Sequence, residues 1–192
     1  MSSDPFHRLL ELWQAARAAC REDADRVALA TADARGRPSV RYVLLREHTE
    51  TGLVFFTNYG SRKSIELEAN PHAALALHWW ETGVQLRVEG PVRRAAAELS
   101  DAYFAKRARG SQIGAWASEQ SRPLPSPELL SERTKALEAK FEGQPVPRPE
   151  GWGGYELTPD RIELWFNRDN RLHDRQMFTR PGGQWVRVPL QP

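Results

Sequence analysis

A cluster of basic residues near the C-terminus carries the clearest chemistry in the sequence. Arg171, His173 and Arg175 follow residues 161–165, a run that is typical of a strand. If that strand continued, alternation would place the three side chains on one face. Guanidinium groups bind phosphate or electron-rich atoms, and an imidazole can move a proton, so the cluster suits an anionic, redox-active ligand. In isolation, the same segment is typical of a solvated C-terminal strand.

A glycine–serine corner followed by two cations is a candidate anion site. Gly60 precedes Ser61, which we expect to cap a short helix that begins with Arg62 and Lys63. Cations in a first helical turn oppose the helix dipole unless an anion is also present, and backbone N–H groups there bind phosphate. The alternative is a capped surface helix with two solvated cations. The glycine spacing does not match a phosphate-loop or dinucleotide fingerprint.

A second phosphate clamp is predicted on a later helix. Tyr103 and Arg107 are four positions apart and share a helix face, and Ser111 follows Gly110, at which we expect that helix to end. A phenol, a guanidinium and a hydroxyl can together bind a phosphate group. The alternative is an ordinary exposed helix end.

Two other polar segments are less specific. Arg41 and Arg46 lie five positions apart on an expected strand, so they should face opposite sides. One of them could face a ligand, or both could be solvated. Residues 112–121 are rich in small and polar side chains and are expected to form a loop.

The composition limits the class of protein. A chain of 192 residues fits one domain, and a net charge of +2 argues against an extended nucleic-acid interface. The single cysteine, Cys20, excludes an intramolecular disulfide and a multi-cysteine metal site. No apolar run has membrane-spanning length and the chain does not open with an export signal, so we expect a cytoplasmic protein with no membrane partner.

The elements that must position these residues are mostly short strands. Strands joined by short turns predict an antiparallel sheet, and closing that sheet into a barrel removes its edges. Strands are expected at 27–31, 40–45, 52–57, 73–79, 84–92, 153–168, 174–180 and 184–189, and helices at 5–20, 61–70, 95–107 and 126–143.

In this order, the clusters resemble the pyridoxamine 5′-phosphate oxidases, flavin enzymes with the FMN-binding split-barrel fold. The matching segments are RYVLL, FFTNYGSRK, DAYFAKR with RGSQIGAWAS, WGGY and RLHDR, within residues 26–192. The resemblance implies an α+β, mainly β chain: one antiparallel split β-barrel domain of Greek-key type over residues 1–192, with peripheral helices. Residues 1–24 would contribute a helix that packs on the barrel.

The resemblance also implies an activity, a cofactor and an assembly. Members are homodimers with FMN at the subunit interface. They oxidise pyridoxamine or pyridoxine 5′-phosphate, a phosphorylated B6 vitamer, to pyridoxal 5′-phosphate, with O2 as electron acceptor and H2O2 as product.

The family's site residues carry over position by position. The implied FMN contacts are Arg41, Arg62, Lys63 and Ser121 to the phosphate and ribityl chain, and Thr57, Gln85, Gln120, Trp165 and Arg175 to the rest of the cofactor. The implied contacts to the substrate phosphate are Arg46, Tyr103, Arg107 and Ser111, while Arg171 and His173 would bind the substrate at its reacting carbon and be catalytic.

Three positions depart from the family pattern. Arg46 stands where lysine is usual, Val84 where an arginine commonly precedes the glutamine, and Phe166 where glutamine is usual. Two alternatives therefore accompany the main hypothesis. One is an FMN oxidase of the same fold that acts on another aromatic metabolite, such as a phenazine precursor. The other is a flavin-binding barrel without catalysis.

Overall fold

The structure, a computed structural model, describes residues 4–192, apart from the side chains of Arg21 and Glu22. The α-helices are α1 (Pro5–Cys20), α2 (Arg62–Ala69), α3 (Ala97–Lys106), α4 (Arg109–Ala117) and α5 (Pro127–Lys140). The strands are β1 (Arg26–Ala32), β2 (Pro38–His48), β3 (Leu53–Asn58), β4 (His72–Trp79), β5 (Val84–Arg94), β6 (Trp152–Leu157), β7 (Arg161–Phe166), β8 (Asp174–Thr179) and β9 (Val186–Leu190).

Six antiparallel strands close into a barrel. They follow the order β4-β1-β2-β3-β6-β5, and pairing between β4 and β5 completes the circle. Strands β7, β8 and β9 extend the sheet outward from β5. The predicted antiparallel barrel with peripheral helices is therefore confirmed.

Helix α1 packs on the barrel through one face. Phe6, Leu9, Trp13 and Ala16 recur at helical spacing, are buried, and belong to the same core cluster as the inward-facing barrel residues. The helix starts where predicted, because the Asp4 carboxylate accepts a hydrogen bond from the Phe6 N–H at 2.8 Å. That residues 1–192 form one domain stays a prediction, since residues 1–3 lie outside the described part.

Some expected boundaries were wrong. Residues 112–117 belong to helix α4 instead of a loop, and Gly110 lies inside that helix instead of ending α3. The expected strand at 153–168 is two strands, β6 and β7, separated by a turn at 158–160. None of the helices within residues 4–192 is long and apolar enough to cross a bilayer.

One edge of strand β5 changes partners at Gly90, while the other edge stays paired with β4. Residues before it pair with β7, and residues after it pair with β6. The turn between β6 and β7 lies directly over Gly90, since the Thr158 N–H donates to the Pro91 carbonyl and the Asp160 N–H donates to the Glu89 carbonyl, each at 3.0 Å. A Cβ at residue 90 would lie 2.1 Å from the Thr158 carbonyl oxygen. Only glycine therefore permits this close approach.

We expect Gly90→Ala to lower the free energy of unfolding by about 1–3 kcal/mol, because the backbone on both sides must shift. Urea denaturation monitored by tryptophan fluorescence measures the effect. Gly110→Ala is the matched control, since a Cβ there meets nothing within 4 Å. The control should change stability by less than about 1 kcal/mol. Equal losses in the two variants would contradict the role given to Gly90.

Candidate functional site

A polar cleft of about 840 Å³ opens between β2, the end of β3, the start of α2, and the α3–α4 pair. Most of the predicted site residues line it, although they come from distant parts of the sequence. These are Arg41, Arg46, Thr57, Arg62, Lys63, Tyr103, Arg107, Ser111, Gln120 and Ser121. The structure thus brings both predicted phosphate-binding groups into one cleft.

Lys63 is a buried cation on the floor of this cleft. Its Nζ donates to Thr57 Oγ1 at 3.1 Å, to Ser61 Oγ at 3.2 Å and to Gln120 Oε1 at 3.3 Å. The side chain is 7% exposed. Burial, together with the nearby charge of Arg41, lowers the pKa of Lys63 to about 8, although Glu66 partly opposes this. A charge so placed is available to a bound anion.

The predicted Ser61 cap takes a different form. Ser61 occupies the position before α2 with extended backbone angles, but its hydroxyl makes no capping bond to the helix backbone. It accepts from Lys63 Nζ instead and lies 3.1 Å from the Ser64 hydroxyl. Ser61 therefore helps to hold the lysine.

A buried carboxylate, Glu66, holds the arginines beside Lys63. Arg62 Nε donates to Glu66 Oε1 at 2.8 Å, and Arg41 Nη2 donates to Oε2 at 3.1 Å. The hydroxyls of Thr31 and Ser39 also donate to Oε2. Burial opposes ionisation of Glu66, but these four hydrogen bonds prevail and lower its pKa to about 2. Glu66 therefore remains an anion that orients both guanidinium groups.

The predicted clamp on α3 is built on stacked aromatic rings. The Tyr103 ring stacks on Phe56 with centroids 4.0 Å apart, and the Arg107 guanidinium lies 4.7 Å from the centre of the Trp152 ring. Burial lowers the pKa of Arg107, although the nearby Tyr103 acts in the opposite direction. Arg107 Nη1 is buried and has no hydrogen-bond partner among the residues that the structure describes. An unsatisfied buried donor of this kind fits a ligand oxygen.

Ser111, on the first turn of α4, lines the same end of the cleft. Gln120 and Ser121 lie in the turn after α4, where Ser121 adopts a left-handed conformation with φ of 72°. Thr57 Oγ1 donates to Gln120 Oε1 at 2.9 Å, which ties that turn to β3. The α3–α4 segment thus contributes to both ends of the cleft.

Arg46 lies at an irregularity of β2. The pairing register with β3 shifts between Leu45 and Glu47, and alternation places Arg46 on the face opposite Arg41, as predicted. Its Nη1 donates to Asp25 Oδ2 at 3.2 Å. Asp25 also accepts from Trp13 Nε1 at 3.0 Å, so the arginine is linked to helix α1.

The other predicted residues form a second group, which we call the sheet cluster: Gln85, Trp165, Arg171, His173 and Arg175. Gln85, Trp165 and Arg175 are direct cross-strand neighbours on β5, β7 and β8. The His173 ring packs on Trp165 with centroids 4.4 Å apart. None of the five lines the cleft of its own chain.

The prediction that Arg171, His173 and Arg175 share a strand face is wrong. Residues 169–171 form a 3-10 turn in which Asn170 and Arg171 both have left-handed backbones, with φ of 56° and 61°. Strand β8 begins only at Asp174. The turn reverses the chain, and it is the contact with Trp165 that places His173 beside the other members of the cluster.

Two buried carboxylates were not predicted from the sequence: Glu66 beside the cleft, and Glu163, which pairs with Arg175 of the sheet cluster. Glu66 follows Arg62 by four residues, a helical spacing that predicts contact between the two side chains. Glu163 precedes Trp165 by two residues, a strand spacing that places both on one face. Either spacing was a usable signal.

The fold and these two groups define a split-barrel protein with a cleft lined by cationic side chains. Comparison with protein families agrees: residues 12–141 match the family model described as pyridoxamine 5′-phosphate oxidase, and residues 152–192 match the pyridoxine 5′-phosphate oxidase C-terminal dimerisation region. The chain therefore belongs to the pyridoxamine 5′-phosphate oxidase family. The second match supports homodimer formation.

Individual relatives span the chain. A Rubrobacter xylanophilus protein named pyridoxine/pyridoxamine 5′-phosphate oxidase is 53% identical over 98% of this chain and 87% of its own length. A Zymomonas mobilis protein of the same name is 47% identical over 100% of both chains. Among solved structures, PhzG from Burkholderia lata 383, in complex with tetrahydrophenazine-1-carboxylic acid, superposes with a TM-score of 0.92 at 33% identity, covering 100% of this chain and 94% of that one.

Proposed function

We propose that this protein is an FMN-dependent oxidase that converts pyridoxamine or pyridoxine 5′-phosphate to pyridoxal 5′-phosphate. The observation that carries the proposal is that two cations line one cleft: Lys63, which is buried, and Arg107, which is half-buried and has a buried Nη1 atom. Two separate phosphate sites suit a phosphorylated cofactor and a phosphorylated substrate. The names of the full-length relatives agree with this assignment.

The residues around Lys63 fit the phosphate end of FMN. Lys63, Arg41 and Arg62 supply three positive charges against the single carboxylate of Glu66, which leaves a net positive pocket for a phosphate dianion. Thr57 and the turn with Gln120 and Ser121 line the adjoining wall. When bound, FMN would supply the redox chemistry, namely acceptance of a hydride from the substrate's exocyclic carbon and reoxidation by O2 with release of H2O2.

A homodimer with the flavin at the subunit interface would join the two groups of residues. The sheet cluster does not line its own cleft, and it lies on β5, β7 and β8 with their flanking turn. We propose that the sheet cluster of one subunit completes the cleft of its partner. The match of residues 152–192 to a dimerisation region supports this arrangement, since those residues contain most of the cluster.

Within the sheet cluster, Arg171 and His173 are the proposed catalytic residues. The backbone N–H of Arg168 donates to His173 Nδ1 at 3.3 Å, which makes Nδ1 the acceptor and leaves the proton of a neutral ring on Nε2. His173 can therefore hold or move a proton at Nε2. Arg171, two residues earlier in the left-handed turn, would supply a permanent positive charge to the substrate. Together they would orient the substrate for hydride transfer.

The likeness to PhzG makes an oxidase of a phenazine precursor the second candidate. The predicted phosphate clamp of Tyr103, Arg107 and Ser111 distinguishes the first candidate function from the second. A substrate without phosphate would leave Arg107 Nη1 unsatisfied, and a buried donor in that state costs about 1–3 kcal/mol. A flavin-storing barrel without catalysis is the third candidate, and it would give no role to Arg171 and His173.

Anaerobic addition of pyridoxine phosphate should bleach the oxidised-flavin absorption band of the FMN-loaded protein. Unphosphorylated pyridoxine should reduce the flavin at least tenfold less efficiently, because the substrate phosphate contributes a charge-assisted interaction of about 1.5–3 kcal/mol. Arg107→Gln should remove most of this preference by raising KM, with little change in kcat. Lys106→Gln, at the neighbouring exposed position, is the control. Faster reduction by a phenazine precursor would favour the second candidate, and a flavin that no substrate bleaches would favour the third.

We expect Arg171→Ala with His173→Ala to reduce the rate of flavin reduction by about 10²-fold or more while FMN remains bound, because positioning and proton transfer are both lost. Stopped-flow absorbance measures the rate, and the bound-flavin spectrum checks cofactor loading. Arg168→Ala serves as the control, since it keeps the backbone N–H that His173 accepts from. Unchanged turnover in the double variant would overturn the catalytic assignment.

FMN affinity should fall as pH rises above about 8. Lys63 has a pKa of about 8 in the free protein, and a bound phosphate would raise it, so binding above that pH must take up a proton. The dissociation constant should then rise by up to tenfold per pH unit, since the arginines stay charged and the phosphate is already a dianion.

Fluorescence titrations of the apoprotein with FMN between pH 7 and 10 test this pH dependence. Lys63→Met should weaken binding and abolish the pH slope. Arg62→Gln is the matched control, which should weaken binding but keep the slope. A slope that persists in Lys63→Met would assign the titration to another group.

A further inference from the structure

Glu163 is a buried carboxylate on β7 that the site described so far does not use. Its side chain is 4% exposed, yet it contacts two cations from the neighbouring strands. Arg175 Nε donates to Glu163 Oε1 at 2.8 Å, and Arg175 Nη2 lies 2.7 Å from the same oxygen as an ion pair. Arg87 Nη1 donates to Oε2 at 3.1 Å, so both oxygens accept hydrogen bonds from residues of the same chain.

The contact with Glu163 combines a hydrogen bond from Nε with an ion pair to Nη2 and restrains the Arg175 guanidinium. Because Nε and Nη2 both lie next to one oxygen atom, turning the group away breaks the hydrogen bond and lengthens the ion pair. A second hydrogen bond comes from the C-terminal segment, where the Gln191 carbonyl accepts from Arg175 Nη1 at 3.0 Å. Two of the five guanidinium N–H groups thus donate hydrogen bonds within the described chain, which leaves one on Nη1 and two on Nη2 for a ligand.

We infer that Glu163 is a positioning residue for the cofactor: it acts through Arg175, holding the remaining N–H groups of that guanidinium toward the flavin. The inference rests on the proposed function, in which Arg175 contacts FMN. Trp165 lies on the same face of β7 two residues later and is the direct cross-strand partner of Arg175, so a fixed Arg175 faces the same ligand as the indole.

Arg87 provides a control that separates a positioning role of Glu163 from general stabilisation of the sheet. It pairs with Glu163 on the opposite side from Arg175 and also with Glu89 at 3.1 Å, and its side chain is 44% exposed. If Glu163 only stabilised the sheet, losing either arginine would have similar effects on FMN binding. If it positions Arg175, only that arginine matters for the cofactor.

A double-mutant cycle on FMN affinity tests the inference. We expect Glu163→Ala to raise the dissociation constant of FMN about tenfold and Arg175→Ala to raise it by at least as much. The double variant should bind no more weakly than Arg175→Ala alone, because Glu163 has no effect once its partner is gone. Independent, multiplying effects would overturn the inference, since they would mean that Glu163 supports FMN binding by another route.

Further variants keep the test decisive. Glu163→Gln retains an acceptor for Arg175 and should recover most of the affinity, whereas Arg87→Ala should leave the dissociation constant within about twofold of wild type. If Glu163→Ala does not fold, the Glu163→Gln and Arg87→Ala pair decides: a loss in Arg87→Ala as large as in Arg175→Ala overturns the inference. A wild-type protein that fails to bind FMN would instead refute the proposed function.

Discussion

The cleft depends on the arrangement of charge around Lys63. A buried ammonium normally requires a carboxylate partner, because desolvation disfavours its charged form. In the described chain, Lys63 is bonded to neutral oxygens of Thr57, Ser61 and Gln120, while the nearby carboxylate, Glu66, is engaged by the arginines. Burial, together with the nearby charge of Arg41, therefore lowers the pKa of Lys63. An anion that enters the cleft supplies the negative partner that the described chain does not give to Lys63. The free energy lost in burying the lysine therefore favours ligands that carry an anionic group.

The closed barrel makes this arrangement possible because it holds its strands in fixed positions relative to one another. Thr31 on β1, Ser39 and Arg41 on β2, and Glu66 on α2 come from separate elements and meet at one carboxylate. A flexible scaffold would let Lys63 turn to solvent. Here β3 and the turn after α4 hold its partners on two sides, through the bond between Thr57 and Gln120. The sheet cluster uses the same principle, since Glu163 fixes Arg175 from a neighbouring strand.

The sequence predicted the barrel, most strands and the residues lining the cleft, because alternation, turn residues and the order of motifs are local signals. It failed where long-range packing decided the conformation. Residues 112–117 were expected to form a loop because small and polar residues dominate the segment, yet Ile113 and Ala117, four positions apart, are buried on one face of a helix. The turn at Asn170 and Arg171 places two non-glycine residues in the left-handed region, which no periodicity predicts. Glu66 and Glu163 were overlooked because an isolated acidic residue in a sequence is usually exposed to solvent.

Under the proposed function, Arg107 would determine the choice of substrate. Arg107 lies against Trp152, and Tyr103 stacks on Phe56, so the clamp is rigid before any ligand arrives. A rigid, partly desolvated guanidinium gains little from water and much from a phosphate, which accepts several hydrogen bonds at once. A planar aromatic acid without phosphate could occupy the flavin side of the cleft, but it would leave the clamp unsatisfied. The difference in binding free energy between these two ligands would thus arise at the phosphate clamp and not at the reacting carbon.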